Sequence, residues 1–202
     1  MQEARVYAVV LAAGAASRYG STKQLATLDG ETLVHRAARL ARELCGDRSL
    51  LVVGHDAGEV TRSADGQCQF LAFNDRYAEG LGTSLSLAAR VLEDSADAFV
   101  LMLADQPRVS LAHLESLIER CNGNGDSVVA TAYAGTLGAP AVLPAGLFPR
   151  IAALEGDRGA KALFDDPRLA VEVVAFDAAA ADVDTPADLA ALAAADQAAG
   201  SP

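Results

Sequence analysis

Apolar residues recur along this chain in two alternating rhythms. Short continuous runs, Val6–Ala12 and Leu50–Val53, read as strands buried on both faces, and Ala98–Ala104 reads as a central strand. Gln69–Phe73 and Ser127–Tyr133 predict two more. Between them the period lengthens. Over Thr32–Leu44, the residues Leu33, Ala37, Leu40, Ala41 and Leu44 share one helical face. A weakly helical stretch precedes the third strand. Leu85, Ala88, Ala89 and Leu92 mark a helix starting near Thr83 or Ser84. Leu111, Leu114, Leu117, Ile118 and Cys121 mark another, capped by Ser110 and stopped by Asn122–Gly125. Strands alternating with helices predict an α/β fold, with a mostly parallel sheet covered by helices on both faces.

Past Gly135 the rhythm loosens. A strand at Ala139–Leu143, a helix from about Ala145 to Leu154 and a polar turn over Gly156–Lys161 into a helical segment are expected, then a strand at Leu169–Ala175. The last helix takes Thr185 as N-cap, Pro186 at its first position and Asp188 at its third, and frays beyond Ala195. No linker or repeat interrupts the chain, so a single domain over residues 1–202 is the expectation.

Composition narrows the partners. The formal net charge of -11 argues against nucleic acid or an anionic membrane, both of which favour a basic face. It leaves room for one nucleotide held by a few local cations and a divalent metal. No apolar run approaches the roughly 20 residues that span a bilayer, and no signal peptide is evident at the N-terminus. Cys45, Cys68 and Cys121 are odd in number and widely spaced, as expected of thiols in a reducing cytoplasm. His35, His55 and His113 have no metal-ligand spacing.

The first strand empties into a run with almost no side-chain bulk: Ala13, Gly14, Ala15, Ala16 and Ser17, with Gly20 and Ser21 beyond. Such a loop lets backbone N–H groups approach an anion closely. Arg18 and Lys23 stand within it. The P-loop spacing is absent, because Gly14 and Gly20 are separated by five residues and Lys23 lies three past the second; so is the dinucleotide fingerprint. Taken alone, an ordinary strand-to-helix turn with exposed charges competes with a polyphosphate site.

Ligands of open parallel sheets bind beyond the carboxyl ends of the strands. Asp105 follows the central strand and the small-residue loop follows the first, so both can face one crevice. A carboxylate there suits Mg²⁺, which is held by one or two carboxylates with substrate phosphates and water. Asp105 alone would read as a turn carboxylate. Asp182 and Asp184, two apart, are further candidates, with a helix N-terminus as the competing explanation. Gly80, Gly82, Thr83 and Ser84 near a helix start could wrap a base or ribose.

Together these residues resemble the MobA-like nucleotidyltransferases. Leu11-Ala12-Ala13-Gly14, Ser17-Arg18, Gly20 and Lys23 are similar to that family's first-loop signature. The likeness continues in order through Asn74, Glu79–Leu85, Leu103–Pro107, Gly138 with Pro140, Gly156–Ala160 and Asp182–Pro186. The pattern is most like the branch containing molybdenum cofactor cytidylyltransferase. Guanylyltransferase relatives carry glycine where Ala13 stands, so the resemblance implies CTP.

The resemblance also implies a Rossmann-like sheet of the nucleotide-diphospho-sugar transferase type. It implies that the loop amides of Ala12 to Ser17 (Ala13, Gly14 and Ala15 among them), with Arg18 and Lys23, hold the triphosphate, and that Leu11, Gly80, Gly82, Ser84 and Asp105 lie near the nucleotide. Asp105 and Asp184 are implied Mg²⁺ ligands, with Arg18, Lys23 and Asp105 catalytic. Gly138, Pro140, Asp157, Arg158 and Gly159 would face the acceptor. Two positions depart from the family: Tyr19 replaces Met, and Ala139 stands where relatives carry His or Asn.

The implied reaction joins the NMP part of CTP to a phosphorylated acceptor, molybdopterin or molybdenum cofactor, and releases pyrophosphate in the cytoplasm. A molybdoenzyme or its maturation factor is an implied protein partner. A sugar-phosphate or other small phosphate acceptor is the nearest rival, and a non-catalytic nucleotide-binding maturation factor the more distant one.

Overall fold

The computed structural model describes residues 4–15, 19–122, 127–156 and 159–199. In chain order its elements are strand β1 (Val6–Ala12), a two-residue hairpin of β2 (Thr27–Leu28) and β3 (Glu31–Thr32), helix α1 (Leu33–Cys45), β4 (Ser49–Val53), α2 (Ala57–Ala64), β5 (Phe70–Phe73) and α3 (Leu81–Leu92). There follow β6 (Ala98–Leu103), α4 (Leu111–Asn122), β7 (Val128–Tyr133), β8 (Thr136–Pro144), the short helices α5 (Phe148–Ala152) and α6 (Lys161–Phe164), β9 (Val171–Ala175) and α7 (Pro186–Ala199).

Seven strands form one sheet in the order β5-β4-β1-β6-β8-β7-β9. Among the described strands only β8 runs against the rest, so the sheet is mostly parallel, as the alternation of periods predicts. The runs of β1, β4 and β6 are apolar throughout because each face of the sheet is covered. One face packs Val9, Leu11, Leu50, Val52 and Phe99 against α3, α5 and α6. The other packs Ala8, Val10, Leu51, Val53 and Val100 against α1, α2 and α4. Fully burying one large aliphatic side chain stabilises by about 1.5–3 kcal/mol, so these two layers carry the fold.

Several elements differ from the sequence expectation. The strand expected at Ala139–Leu143 is the inner part of the longer β8, which turns back on β7 through Ala134-Gly135. Both turn residues have positive φ, at 47° and 74°. A two-residue turn of this hand fits the twist of antiparallel strands, but Ala is an unusual first residue for it and hides the hairpin from sequence. The helix expected over Ala145–Leu154 divides into a 3-10 turn at Ala145–Leu147 and the short α5, with Pro149 in the first turn of the latter. Helix α3 starts at Leu81, earlier than Thr83, and α7 continues to Ala199 rather than fraying after Ala195. The expected stop of α4 falls on residues 123–125, outside the described residues.

Candidate active site

The chain leaves β1 toward β4 and β5 on one side, then returns to place β6 on the other. The carboxyl ends of β1 and β6 therefore flank the point where strand order reverses, where open α/β sheets bind ligands. The two ends are in register: Leu11 pairs with Leu103, and the Ala104 N–H donates to the Leu11 carbonyl at 3.2 Å. Asp105 thus emerges beside the loop that follows β1. A crevice of about 400 Å³ opens there.

Leu11, Ala13, Gly14 and Ala15 form one wall of the crevice; Gly80, Leu81 and Ser84 form another, with Lys23, Asp105 and Asp184 between. The first wall is tied down from both sides. The His55 N–H donates to the Ala13 carbonyl at 3.0 Å, and the buried Gln24 amide donates to the Gly14 carbonyl at 2.8 Å. The second wall is the start of α3. Gly80 has φ 124° and ψ 173°, a conformation open essentially to glycine alone, and it turns the chain into the helix. The buried Asn74 amide donates to the hydroxyls of Thr83 and Ser84, both at 2.9 Å, which fixes that first turn. The opening turn of a helix favours negative charge.

At the centre the Lys23 ammonium, on a 3-10 turn over Lys23–Leu25, lies 2.6 Å from Asp105 Oδ2 and 2.9 Å from Asp184 Oδ1. These are charge-assisted distances. The side chains are 13%, 23% and 38% exposed in that order. Burial pulls the lysine toward its neutral form, but the charges and hydrogen bonds of Asp105 and Asp184 outweigh it and hold its pKa above the usual value. Of the two carboxylates near the last helix, Asp184 is the one Lys23 grips. Asp182 is exposed, yet desolvation by the protein around it, then the Asp105 charge and more weakly the Asp184 charge, push its carboxyl up to about 6 against the pull of Gln106 and Lys23.

The arrangement fits a hard divalent ion. Asp105 Oδ1 is shielded from solvent and has no hydrogen-bond partner among the described residues. Two carboxylates converge on one small volume, and no larger cluster of acidic, His or Cys side chains is grouped for a metal among the described residues. Two carboxylates alone suit Mg²⁺ or Mn²⁺, which complete their shells with phosphate oxygens and water.

Not every expected residue reaches the crevice. Ala12 is buried behind the wall, and Gly82 donates its N–H to the Gly156 carbonyl at 2.9 Å. Pro140 faces a separate small cavity beside Leu33 and Gln106. Gly138 lies where a Cβ would overlap the Tyr133 hydroxyl, and one at Gly159 would come 3.2 Å from the Leu81 side chain. Ser17, Arg18, Asp157 and Arg158 lie outside the described residues. Gln24 and Tyr77 line the crevice without having been anticipated. Gln24 follows a charged candidate directly, but nothing in its spacing announces that it ties down the loop; Tyr77 sits in a connection with no period to read.

The model of the MobA-like NTP transferase domain matches residues 8–173. The purine catabolism protein PucB of Bacillus subtilis is 27% identical over 205 aligned residues, covering 92% of this chain and 95% of that protein. A crystal structure of the Rv0371c homologue from Mycobacterium sp. strain JC1 superposes with a TM-score of 0.81 at 33% identity, over 96% of this chain and 98% of the other. The Rv0371c protein of Mycobacterium tuberculosis, in a structure described as a complex with manganese, superposes at 0.76 with 28% identity, over 94% and 98%.

Proposed function

The chain belongs to the MobA-like NTP transferase family, and from that membership we propose that it joins the NMP part of CTP to a phosphorylated acceptor, molybdopterin or molybdenum cofactor, releasing pyrophosphate. One observation carries the reading: the small-residue loop after β1 and the Asp105–Lys23–Asp184 cluster border the same crevice. The proposed active unit is the whole chain as one domain.

In this proposal the amides of Ala13, Gly14 and Ala15 receive the triphosphate, with Ser17 and Arg18 joining from the same loop. Ser84 and Gly80 border the ribose and base. Ala13 lines the crevice with a methyl group where glycine would leave room, which favours the smaller pyrimidine base. Asp105 and Asp184 would hold Mg²⁺. When bound, that ion neutralises phosphate charge and draws electron density from the α-phosphorus. An oxygen of the acceptor phosphate attacks that phosphorus, the bond to the β-phosphate oxygen breaks, and pyrophosphate leaves with the electron pair. The attacking phosphate is already anionic, so no side chain need remove a proton. The chain's work is alignment and charge neutralisation, with Lys23 and Arg18 on the departing pyrophosphate.

Pyrophosphate release, measured with Mg²⁺ over CTP, GTP, ATP and UTP and with molybdopterin, molybdenum cofactor and sugar-phosphate acceptors, tests the proposal. The highest rate is expected with CTP and a pterin acceptor. Release with a sugar phosphate alone would move the assignment to that acceptor class. Nucleotide binding without release under any combination would leave a nucleotide-binding factor.

A further inference from the structure

The same ammonium is asked to face two sets of anions. Lys23 Nζ already makes short contacts with both Asp105 Oδ2 and Asp184 Oδ1, and these occupy two of its three donors. The volume between those carboxylates is also the one a divalent ion would take. An ammonium and a divalent ion sharing both carboxylates would lie close enough to repel strongly in a partly buried site. One of them has to yield. The lysine is the one built to do so, because its charge rides on a flexible four-carbon stem. The backbone beneath it is fixed by the neighbouring Gln24, whose amide is bonded to the Gly14 carbonyl. Asp105 Oδ1 has no partner among the described residues, so an ion that displaces the lysine finds a second oxygen of that carboxylate unengaged.

We propose that Lys23 is a built-in stand-in for the divalent ion, holding Asp105 and Asp184 together in the nucleotide-free protein and releasing them when metal and triphosphate arrive together. Its ammonium then transfers to the phosphates. The identity of the triphosphate rests on the function proposed above; the exchange itself is read from these three side chains. A metal ion arriving alone must displace an ammonium that has no other anion to receive it, so it binds weakly. Metal and nucleotide consequently raise each other's affinity.

The decisive measurement is Mn²⁺ binding without nucleotide, followed by the electron paramagnetic resonance signal of the free ion. Lys23→Met is expected to bind Mn²⁺ about tenfold or more tightly than the wild type. Lys23→Arg, which keeps the charge, should show no gain, and Asp105→Asn added to Lys23→Met should erase it. Folded Lys23→Met binding Mn²⁺ no tighter than the wild type would overturn the exchange. A wild-type crystal soaked in Mn²⁺ together with inorganic triphosphate gives a reading that no variant's folding can spoil. The ion is expected on Asp105 and Asp184, with the Lys23 ammonium out of hydrogen-bond reach of both. An ion on that pair with Lys23 still touching both carboxylates, or an ion bound only elsewhere, would also overturn it. Pyrophosphate release by the wild type is scored separately, so an active transferase without the exchange is distinguishable from a protein that is no transferase.

Discussion

Asp105 and Asp184 meet at one ammonium but are delivered by different kinds of structure. Asp105 steps off the end of β6, whose Val100, Leu101 and Met102 are at most 2% exposed and which is paired on both edges, to β1 and β8. Shifting it would mean unpairing the middle of the sheet. Asp184 rides on the strap between β9 and α7, which pairs with no strand of the sheet and is held by a few separate ties. The Val183 N–H donates to the Asp105 carbonyl at 2.9 Å, and the Val183 side chain is buried in a small cluster with Leu28 and Leu33. Helix α7 is only partly buried, and Arg108 fastens it through an ion pair with Asp196 and a hydrogen bond to the Leu192 carbonyl. One carboxylate is placed by the end of a central strand, the other by an irregular segment outside the sheet, the kind of element that opens at lower cost than paired strands. The site thus combines a rigid anchor with an adjustable one.

The largest effect should come from the rigid anchor. Asp105→Asn is expected to lower pyrophosphate release by about 10²–10³-fold or more, with the urea midpoint nearly unchanged. Full activity with CTP and Mg²⁺ in that variant would remove Asp105 from the metal assignment. Asp184→Asn should cost less, about 10–100-fold, because the adjustable strap can bring a water or the Asn oxygen to the ion. Equal losses at the two positions would break the contrast drawn between them.

The same contrast explains what could be read from sequence. Asp105 was legible because β6 is a continuous apolar run and the end of such a strand is a known place for ligands. The crevice beside Ala13–Ala15 followed from that rule and from the side-chain poverty of the loop. Asp184 could not be separated from Asp182, since spacing puts both on one face of an extended strap; the distinction lies in the Lys23 ammonium, which comes from a distant turn and lies 2.9 Å from Asp184. The β7–β8 hairpin was hidden because Ala134 lacks the usual turn chemistry and because the expected strand covered only part of β8. Pro140, implied to face the acceptor, lines a separate small cavity at the point where β8 bulges between the Ala130–Ala141 and Thr131–Gly138 pairs.

The strap's own tie is the next place to press. Asp188 Oδ2 accepts the N–H of Thr185 at 2.7 Å and of Asp184 at 3.1 Å, while the Asp188 N–H donates to the Thr185 hydroxyl at 3.3 Å. This reciprocal cap fixes the backbone that carries Asp184. Asp188→Ala should destabilise the protein by about 1 kcal/mol and lower kcat by about tenfold through a displaced Asp184. Asp188→Asn, which keeps an acceptor oxygen, should restore most of kcat. A merely structural role would lower the urea midpoint and leave kcat at saturating substrate untouched.

The smallest expected effect lies at the far end of the strap and is read as a function of pH. His113 on α4 is buried; its Nε2 lies 2.8 Å from the Thr131 hydroxyl, and its ring stacks on Phe176 at 4.2 Å. The Thr131 hydroxyl donates to the Pro140 carbonyl at 2.5 Å, so the proton between Thr131 and His113 belongs to Nε2. Burial lowers the His113 pKa. A lowered histidine leaves stability fully present above the unfolded value near 6.5, and that stability is lost as pH falls through the depressed folded value. Asp182 has the opposite sign: its carboxyl is raised to about 6, so its share is present at low pH and lost as pH rises through that value. The two shifts oppose one another in mildly acid solution, and the wild-type curve alone would hide both. Subtracting the urea-midpoint profile of His113→Gln cancels Asp182 and leaves the histidine. The difference should fall as pH drops from about 7.5 to about 5, together with faster amide exchange at Val183, since Phe176 opens the segment that leads to it. A flat difference would mean that the histidine is not held neutral, and that the strap is anchored by α7 alone.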